Sequence, residues 1–220
     1  MSLSKPLLAG FLLLNAGLGA QASDLEVHYK VRGLAPAQAA SPACIDAKTA
    51  AVGEISDQFC GSLGIELYNA GVIGDHAVLY GLSDDAKSVR WGVEYQDVPG
   101  VPNCTSASGC LGFTDGKAYS AAMAEHASTK AYAVSACTSK GEGWYVPAYA
   151  ELLALYQSRT SPNYARLNIP SQDPCDYTRY WSSTEAYSNG SGVWSIRLGG
   201  GHSSMYSKTS NLQLRCARGG

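Results

Sequence analysis

The 220-residue sequence predicts an α+β domain, and three observations lead there. Within the main domain, helical patterning falls in the middle of the chain, over residues 115–156. Period-two alternation, the signature of a half-buried strand, lies on both sides of that stretch. The turns of the last third are only a few residues long, too short for a parallel crossover, so the sheet there reads as antiparallel.

The elements follow from the N-terminus. Lys5, the apolar stretch Leu7–Leu18 and the small-residue site Ala20-Gln21-Ala22 form a three-part export pattern. Residues 1–22 are therefore read as a cleaved signal peptide, too short and Gly-rich to remain as a membrane span. The expected location is exported: periplasm, cell surface or medium. Residues 23–63 are read as an N-terminal extension. Asp24–Arg32 alternates like a strand, and Ile45–Phe59 has helical composition interrupted at Gly53. One continuous helix would hold Cys44 and Cys60 about 24 Å apart, beyond disulfide reach. Either that helix breaks or the two cysteines do not pair.

Residues 64–220 carry the main domain. His76–Gly81 and Ser88–Tyr95 read as strands, and the loop after them holds Cys104 and Cys110 around a Ser/Gly tip, suited to a short disulfide. Asp115 is placed to cap a helix over Ala118–His126, with a further helical stretch at Ala131–Cys137. Pro147 is read as the first residue of a second helix. Glu151 falls in its first turn, where the dipole favours a carboxylate, and Leu152, Leu155 and Tyr156 form its inward stripe. Then come strands at Tyr180–Glu185, Val193–Leu198 (Trp194, Ile196 and Leu198 inward) and Met205–Lys208, and a last one alternating Leu212, Leu214 and Cys216. Turns are expected at Asn189-Gly190 and Gly199–Gly201.

Composition excludes some functions. Net charge is −2, which gives no basic field for nucleic acid or an anionic membrane. The seven cysteines include no CxxC pair and no nearby histidine, against a zinc site. In an exported chain they favour disulfides, with an odd thiol left over. No cofactor is expected. Tyr (14) far outnumbers Phe (3), and its polar tip suits half-wet surfaces.

The run GWYVPAYAELLALY (Gly143–Tyr156), then YWSSTE (Tyr180–Glu185), Trp194, Lys208 and LRCARG (Leu214–Gly219) resembles the Lcl C-terminal-type family of C-type-lectin-like domains. VRWG (Val89–Gly92) and DGKAYSAAMAEH (Asp115–His126) are similar to the earlier part of that pattern. The resemblance covers residues 64–220. It implies a C-type-lectin-like fold, with two helices packed on a twisted antiparallel sheet and the two ends of the domain brought together. It also implies a Cys137–Cys216 bridge, leaving Cys44, Cys60 and Cys175 unassigned. Trp144, Pro147, Glu151, Trp181, Glu185 and Trp194 belong to the motif and are read as holding the fold.

The binding expectation rests on residues 176–210, dense in Tyr, Ser, Gly and Asn as antibody-type binding loops are. Tyr177, Arg179, Tyr187, Asn189, Arg197, His202, Tyr206 and Lys208 are the expected ligand contacts. The competing explanation, a sheet whose short turns need Gly and Ser, accounts for the glycines but not the tyrosines. Asp173 and Asp176 are too few oxygen donors for calcium, and the Glu-Pro-Asn and Trp-Asn-Asp motifs of calcium-dependent sugar-binding lectins are absent. No nucleophile-elbow motif is present, and His202 on its glycine turn reads as a surface residue. A binding protein is therefore expected, with no catalytic residue and no metal. Its ligand would be a glycan or a surface protein; self-association stays open. The alternatives are an assembly component of an envelope structure and, less favoured, a cysteine-dependent modifying enzyme, as in the formylglycine-generating relatives of the fold.

Overall fold

The computed structural model describes residues 43–61, 64–169, 178–187 and 190–220. The expected signal peptide, the strand at Asp24–Arg32, and Asp173, Cys175, Asp176, Tyr177 and Asn189 lie outside the described residues. From residue 43 onward the chain forms one compact unit.

Two five-stranded sheets organise it. The first contains β1 (Ile55–Ser56), β2 (Leu67–Ile73), β3 (His76–Gly81), β5 (Trp144–Tyr145) and β10 (Ala217–Gly219), in the order β1-β2-β3-β10-β5. The second contains β4 (Ala86–Val89), β6 (Tyr180–Glu185), β7 (Gly192–Ile196), β8 (Ser203–Ser207) and β9 (Leu212–Leu214), in the order β4-β9-β6-β7-β8. The pairing is antiparallel except between β6 and β9, which run parallel where Tyr180 faces Gln213. The all-antiparallel expectation is corrected there: β9 returns by a route longer than a hairpin, so turn length does not fix its direction.

The single last strand expected over Leu212–Cys216 is two strands. β9 stays in the second sheet and β10 crosses to the first, inserting between β3 and β5. Arg215 and Cys216 make the crossing. Arg215 is buried and donates to the carbonyls of Gly81 (2.9 Å) and Leu167 (2.8 Å) and to Asp84. The Cys216 amide donates to Asp85 Oδ2 at 2.6 Å.

Among the described residues three α-helices lie between the strands. Helix α1 (Gly116–Glu125) is capped as expected, with the Asp115 side chain accepting from the Ala118 amide at 2.8 Å. Helix α2 (Ala133–Thr138) is short. Helix α3 spans Tyr149–Gln157. It does not begin at Pro147, whose carbonyl instead accepts from the Ser183 amide (2.7 Å) and so ties the entry to β6. Ala148 precedes the helix without a capping side chain; Glu151 reaches back and accepts from the Ala148 amide at 2.6 Å.

The region before residue 64 is corrected as well. Ile45–Phe59 is turns and β1, not a helix. Gly53, at φ +88°, donates its amide to the Asn69 carbonyl (2.7 Å), and the Asn69 amide donates to Glu54 (2.9 Å), which pins the stretch against β2. Cys44 and Cys60 therefore come together, Cα atoms 4.9 Å apart, as a disulfide. Ala47 and Phe59 are buried in the core, so this stretch packs with the sheets rather than outside them. Likewise only Ser88 and Val89 of the strand expected over Ser88–Tyr95 lie in a sheet, as the end of β4.

Cys104–Cys110 and Cys137–Cys216 are both disulfides. The second spans 79 residues and fastens α2 to the crossing between sheets. Closing a loop of that length is worth about 4–5 kcal/mol in the chain-entropy description.

The core has two parts. One gathers Trp91, Met123, Trp144, Trp181 and Leu214. The other is rich in tyrosine: Tyr68, Tyr80, Tyr145, Tyr149 and Tyr180 are all buried, beside Leu152, Leu155, Trp194 and Ile196. This corrects the expectation that the tyrosines mark wet surface. Four of the five hydroxyls have protein partners, Ser158 for Tyr68, Glu151 for Tyr145, Ser203 for Tyr149 and Asp84 for Tyr180. A buried hydroxyl that is hydrogen-bonded loses little on leaving water.

Candidate functional site

The residues expected to contact ligand separate into three groups. Tyr177 and Asn189 lie outside the described residues. Arg197 and Lys208 are buried and are corrected as contacts. Arg179, Tyr187, His202 and Tyr206 reach the surface.

Three of the last group form one cluster: Tyr206 lies on β8, the outer strand of the second sheet, His202 just before it, and Arg179 just before β6. Arg179 Nη1 donates to the His202 carbonyl at 3.1 Å, and its guanidinium lies 5.3 Å from the centre of the Tyr206 ring, within cation–π range. His202 is exposed, and Tyr206 is half-buried with one side against the core. The glycine turn places them: the Arg197 amide donates to the His202 carbonyl (3.0 Å) and the Arg197 carbonyl accepts from Gly200 and Gly201.

Lys208 has a different task. It forms an ion pair with Glu185 in which both side chains are fully buried. The ammonium also donates to the Gln96 carbonyl and lies 4.7 Å from the centre of the Trp91 ring. Its carbonyl accepts from the amides of Trp91 (3.0 Å) and Gly92 (3.1 Å). Glu185 accepts from the Val98 amide at 3.3 Å, and its backbone bonds to Pro102 and Cys104. The pair thus clamps the loop of residues 91–104 onto β6. These amides bond to Lys208 rather than to a ladder neighbour, which is why the expected strand stops at Val89. Burial pushes the Glu185 carboxyl up to about 7, against the pull of Lys208.

The clamped loop carries a residue that the sequence reading passed over. Tyr95 is 72% exposed and sits at φ +59°, a left-handed conformation unusual for a non-glycine residue. Its amide donates to the Gly190 carbonyl (3.0 Å), and the Gly190 amide donates to the Tyr187 carbonyl (3.0 Å). Tyr187, the other exposed tyrosine among the described residues, is therefore joined to Tyr95 through one glycine. The strand expected over Ser88–Tyr95 hid Tyr95, because the chain leaves the sheet after Val89 and Tyr95 stands in a loop.

A second polar centre lies at the opposite end of the motif set. Glu151 is fully buried; it accepts from the Ala148 amide (2.6 Å) and the Tyr145 hydroxyl (3.0 Å) and is 2.7 Å from His76 Nε2. His76 also touches Asp75 (3.3 Å), and with Tyr145, Asp115 and Lys117 these residues line a cavity of about 310 Å³. The hydrogen bond to Glu151 holds the His76 imidazole above its ordinary value, and burial raises Glu151. His76 and Glu151 are 75 residues apart, and only pairing of β2 with β3 against α3 joins them.

The remaining motif residues are structural in placement: Trp144, Trp181 and Trp194 are buried, and the last two donate indole N–H groups to Val89 and Cys104 carbonyls at 2.8 Å. Among the described residues no group of three or more His, Cys, Asp or Glu side chains is gathered to hold a metal ion. Among them no helix is long and apolar enough to cross a membrane.

Comparison with known families matches residues 81–218 to the Lcl C-terminal domain. Neither the curated proteins nor the solved structures gave a match.

Proposed function

The chain belongs to the Lcl C-terminal domain family, and from that premise we propose that it is an exported, adhesin-like binding domain. It recognises a glycan or a surface protein without the calcium site of sugar-binding lectins, and it carries out no reaction. The observation that carries this reading is the cluster of Arg179, His202 and Tyr206, the last on the outer strand, with Tyr187 and Tyr95 also exposed. Aromatic rings and a guanidinium held at a surface are binding chemistry, because they offer large contact area with few rotatable bonds to freeze.

The finer fold reading, a C-type-lectin-like arrangement, is part of this proposal. Two features support it. β10 inserts beside β3, bringing the end of the domain back to its beginning, and the Cys137–Cys216 disulfide joins a helix to the last strands.

The test is binding of the purified protein to an array of mixed glycans, polysaccharides and surface proteins, with and without chelator. The expected result is chelator-insensitive binding that a Tyr187→Ala/Tyr206→Ala double variant loses. No binding to any array member would overturn the reading and favour an assembly role.

A further inference from the structure

We propose that β8 is a docking edge for a second copy of this chain, whose own β8 pairs with it antiparallel about Met205. The pairing needs no ligand, so it stands or falls apart from the binding reading above.

Among the described residues the two sheets end in four outer strands, β1, β5, β4 and β8. β1 and β5 are two residues long. β4 carries the exposed Lys87, and its register with β9 shifts between Ala86 and Val89. Shortness, charge and irregular register are means by which sheet edges avoid pairing with other chains. β8 has none of them. It runs for five residues, Ser-Ser-Met-Tyr-Ser, without a charge or a proline, and keeps an unbroken register with β7 from Ser203 to Ser207.

The backbone groups on its open side suit a second β8. The Arg197 amide donates to the His202 carbonyl at 3.0 Å. Hydrogen-bonded pairs alternate along an antiparallel ladder, so Ser204 and Tyr206 turn their backbone groups toward β7. Ser203, Met205 and Ser207 turn theirs outward. These three positions are symmetric about Met205. A second β8 laid antiparallel, with Met205 opposite Met205, therefore sets each outward amide against an outward carbonyl.

The side chains select the same occupant. In that register Ser203 meets Ser207, Ser204 meets Tyr206, and the two methionines, 38% exposed in one copy, meet each other. Hydroxyl faces hydroxyl, apolar faces apolar, and no like charges on β8 are opposed. A charged foreign strand would find no countercharge on β8 itself. A two-fold contact of this kind closes at two copies. Five residues of strand bury less than the about 800 Å² per partner of a standard interface, so the pair forms at high protein concentration and separates on dilution.

The experiment is sedimentation of the full protein over a concentration series, for wild type, Met205→Lys, Met205→Glu and an equal mixture of the two variants. Melting curves close to wild type check that each variant folds. The wild type should shift from monomer to dimer as concentration rises. Each variant alone opposes like charges and should need at least about tenfold higher concentration to dimerise. The mixture opposes unlike charges and should dimerise again, close to wild type. Wild type that stays monomeric up to about 1 mM overturns the pairing. Variants that dimerise as readily as wild type overturn it too, and move the contact off β8. A mixture that dimerises no better than either variant overturns the register about Met205.

Discussion

Glu151 and Glu185 are both fully buried carboxylates from one motif set, and the fold answers them in opposite ways. Glu151 meets neutral and switchable partners: a backbone amide, a tyrosine hydroxyl and a half-buried histidine beside a cavity. Glu185 meets a permanent cation, Lys208, sealed from water on both sides. The first arrangement starts a helix and links it to a hairpin, at a cost that varies with pH. The second clamps a loop, and its partner has nowhere to go if the carboxylate is lost. A buried carboxylate thus takes its meaning from the charge state of what answers it.

The largest effect expected from breaking the contrast is at the clamp. Lys208→Met strands the Glu185 carboxylate and should cost about 3–5 kcal/mol above pH 7. The cost should shrink at pH 5. Glu185 has a folded value of about 7, raised from 4.5, so the folded state keeps a proton that the unfolded chain releases. Its contribution to stability therefore falls as pH rises from 4.5 through about 7. Urea unfolding at both pH values measures this; an equal cost at each would show that the carboxylate is not the group being stranded.

Next is Glu151→Ala, which leaves the Ala148 amide and the Tyr145 hydroxyl without their acceptor and should cost about 2–4 kcal/mol. Unfolding by the same assay should show little difference between Glu151→Gln and wild type if the site needs only an acceptor. His76→Ala sharpens the comparison through pH. The His76 value is raised in the fold, so its contribution is present in full below 6.5 and lost as pH rises through the folded value. The variant should lose about 1–2 kcal/mol on the acid side and converge toward wild type in alkaline buffer, as melting curves across pH would show. The smallest effect is Tyr145→Phe, about 1 kcal/mol for one hydroxyl; calorimetry would detect it.

Local patterns were legible where one element answers itself. The Asp115 cap, the strands His76–Gly81 and Tyr180–Glu185, and the short Cys104–Cys110 bridge all depend on residues close in sequence. The candidate site was only partly legible. Composition chose Arg179, Tyr187, His202 and Tyr206, which reach the surface, but the same criterion chose Lys208 and Arg197, which are buried. Charge in a Tyr/Ser-rich stretch says nothing about which side of the sheet it faces once β6 and β7 are covered on both faces. Tyr95 was missed for the converse reason: alternation read it as the end of a strand over Ser88–Tyr95, whereas the amides of Trp91 and Gly92 bond to Lys208 and the chain runs on as a loop.

By itself the sequence determined the α+β class, the family motif and the Asp115 helix cap, because these rest on spacing along one segment. Only the tertiary structure decided that the last strand divides between two sheets, that five tyrosines fill a core, and that Glu151 meets His76 while Glu185 meets Lys208. The physical reason is burial. Whether a polar side chain faces water or a partner is decided by residues tens of positions away, and no local period encodes that distance.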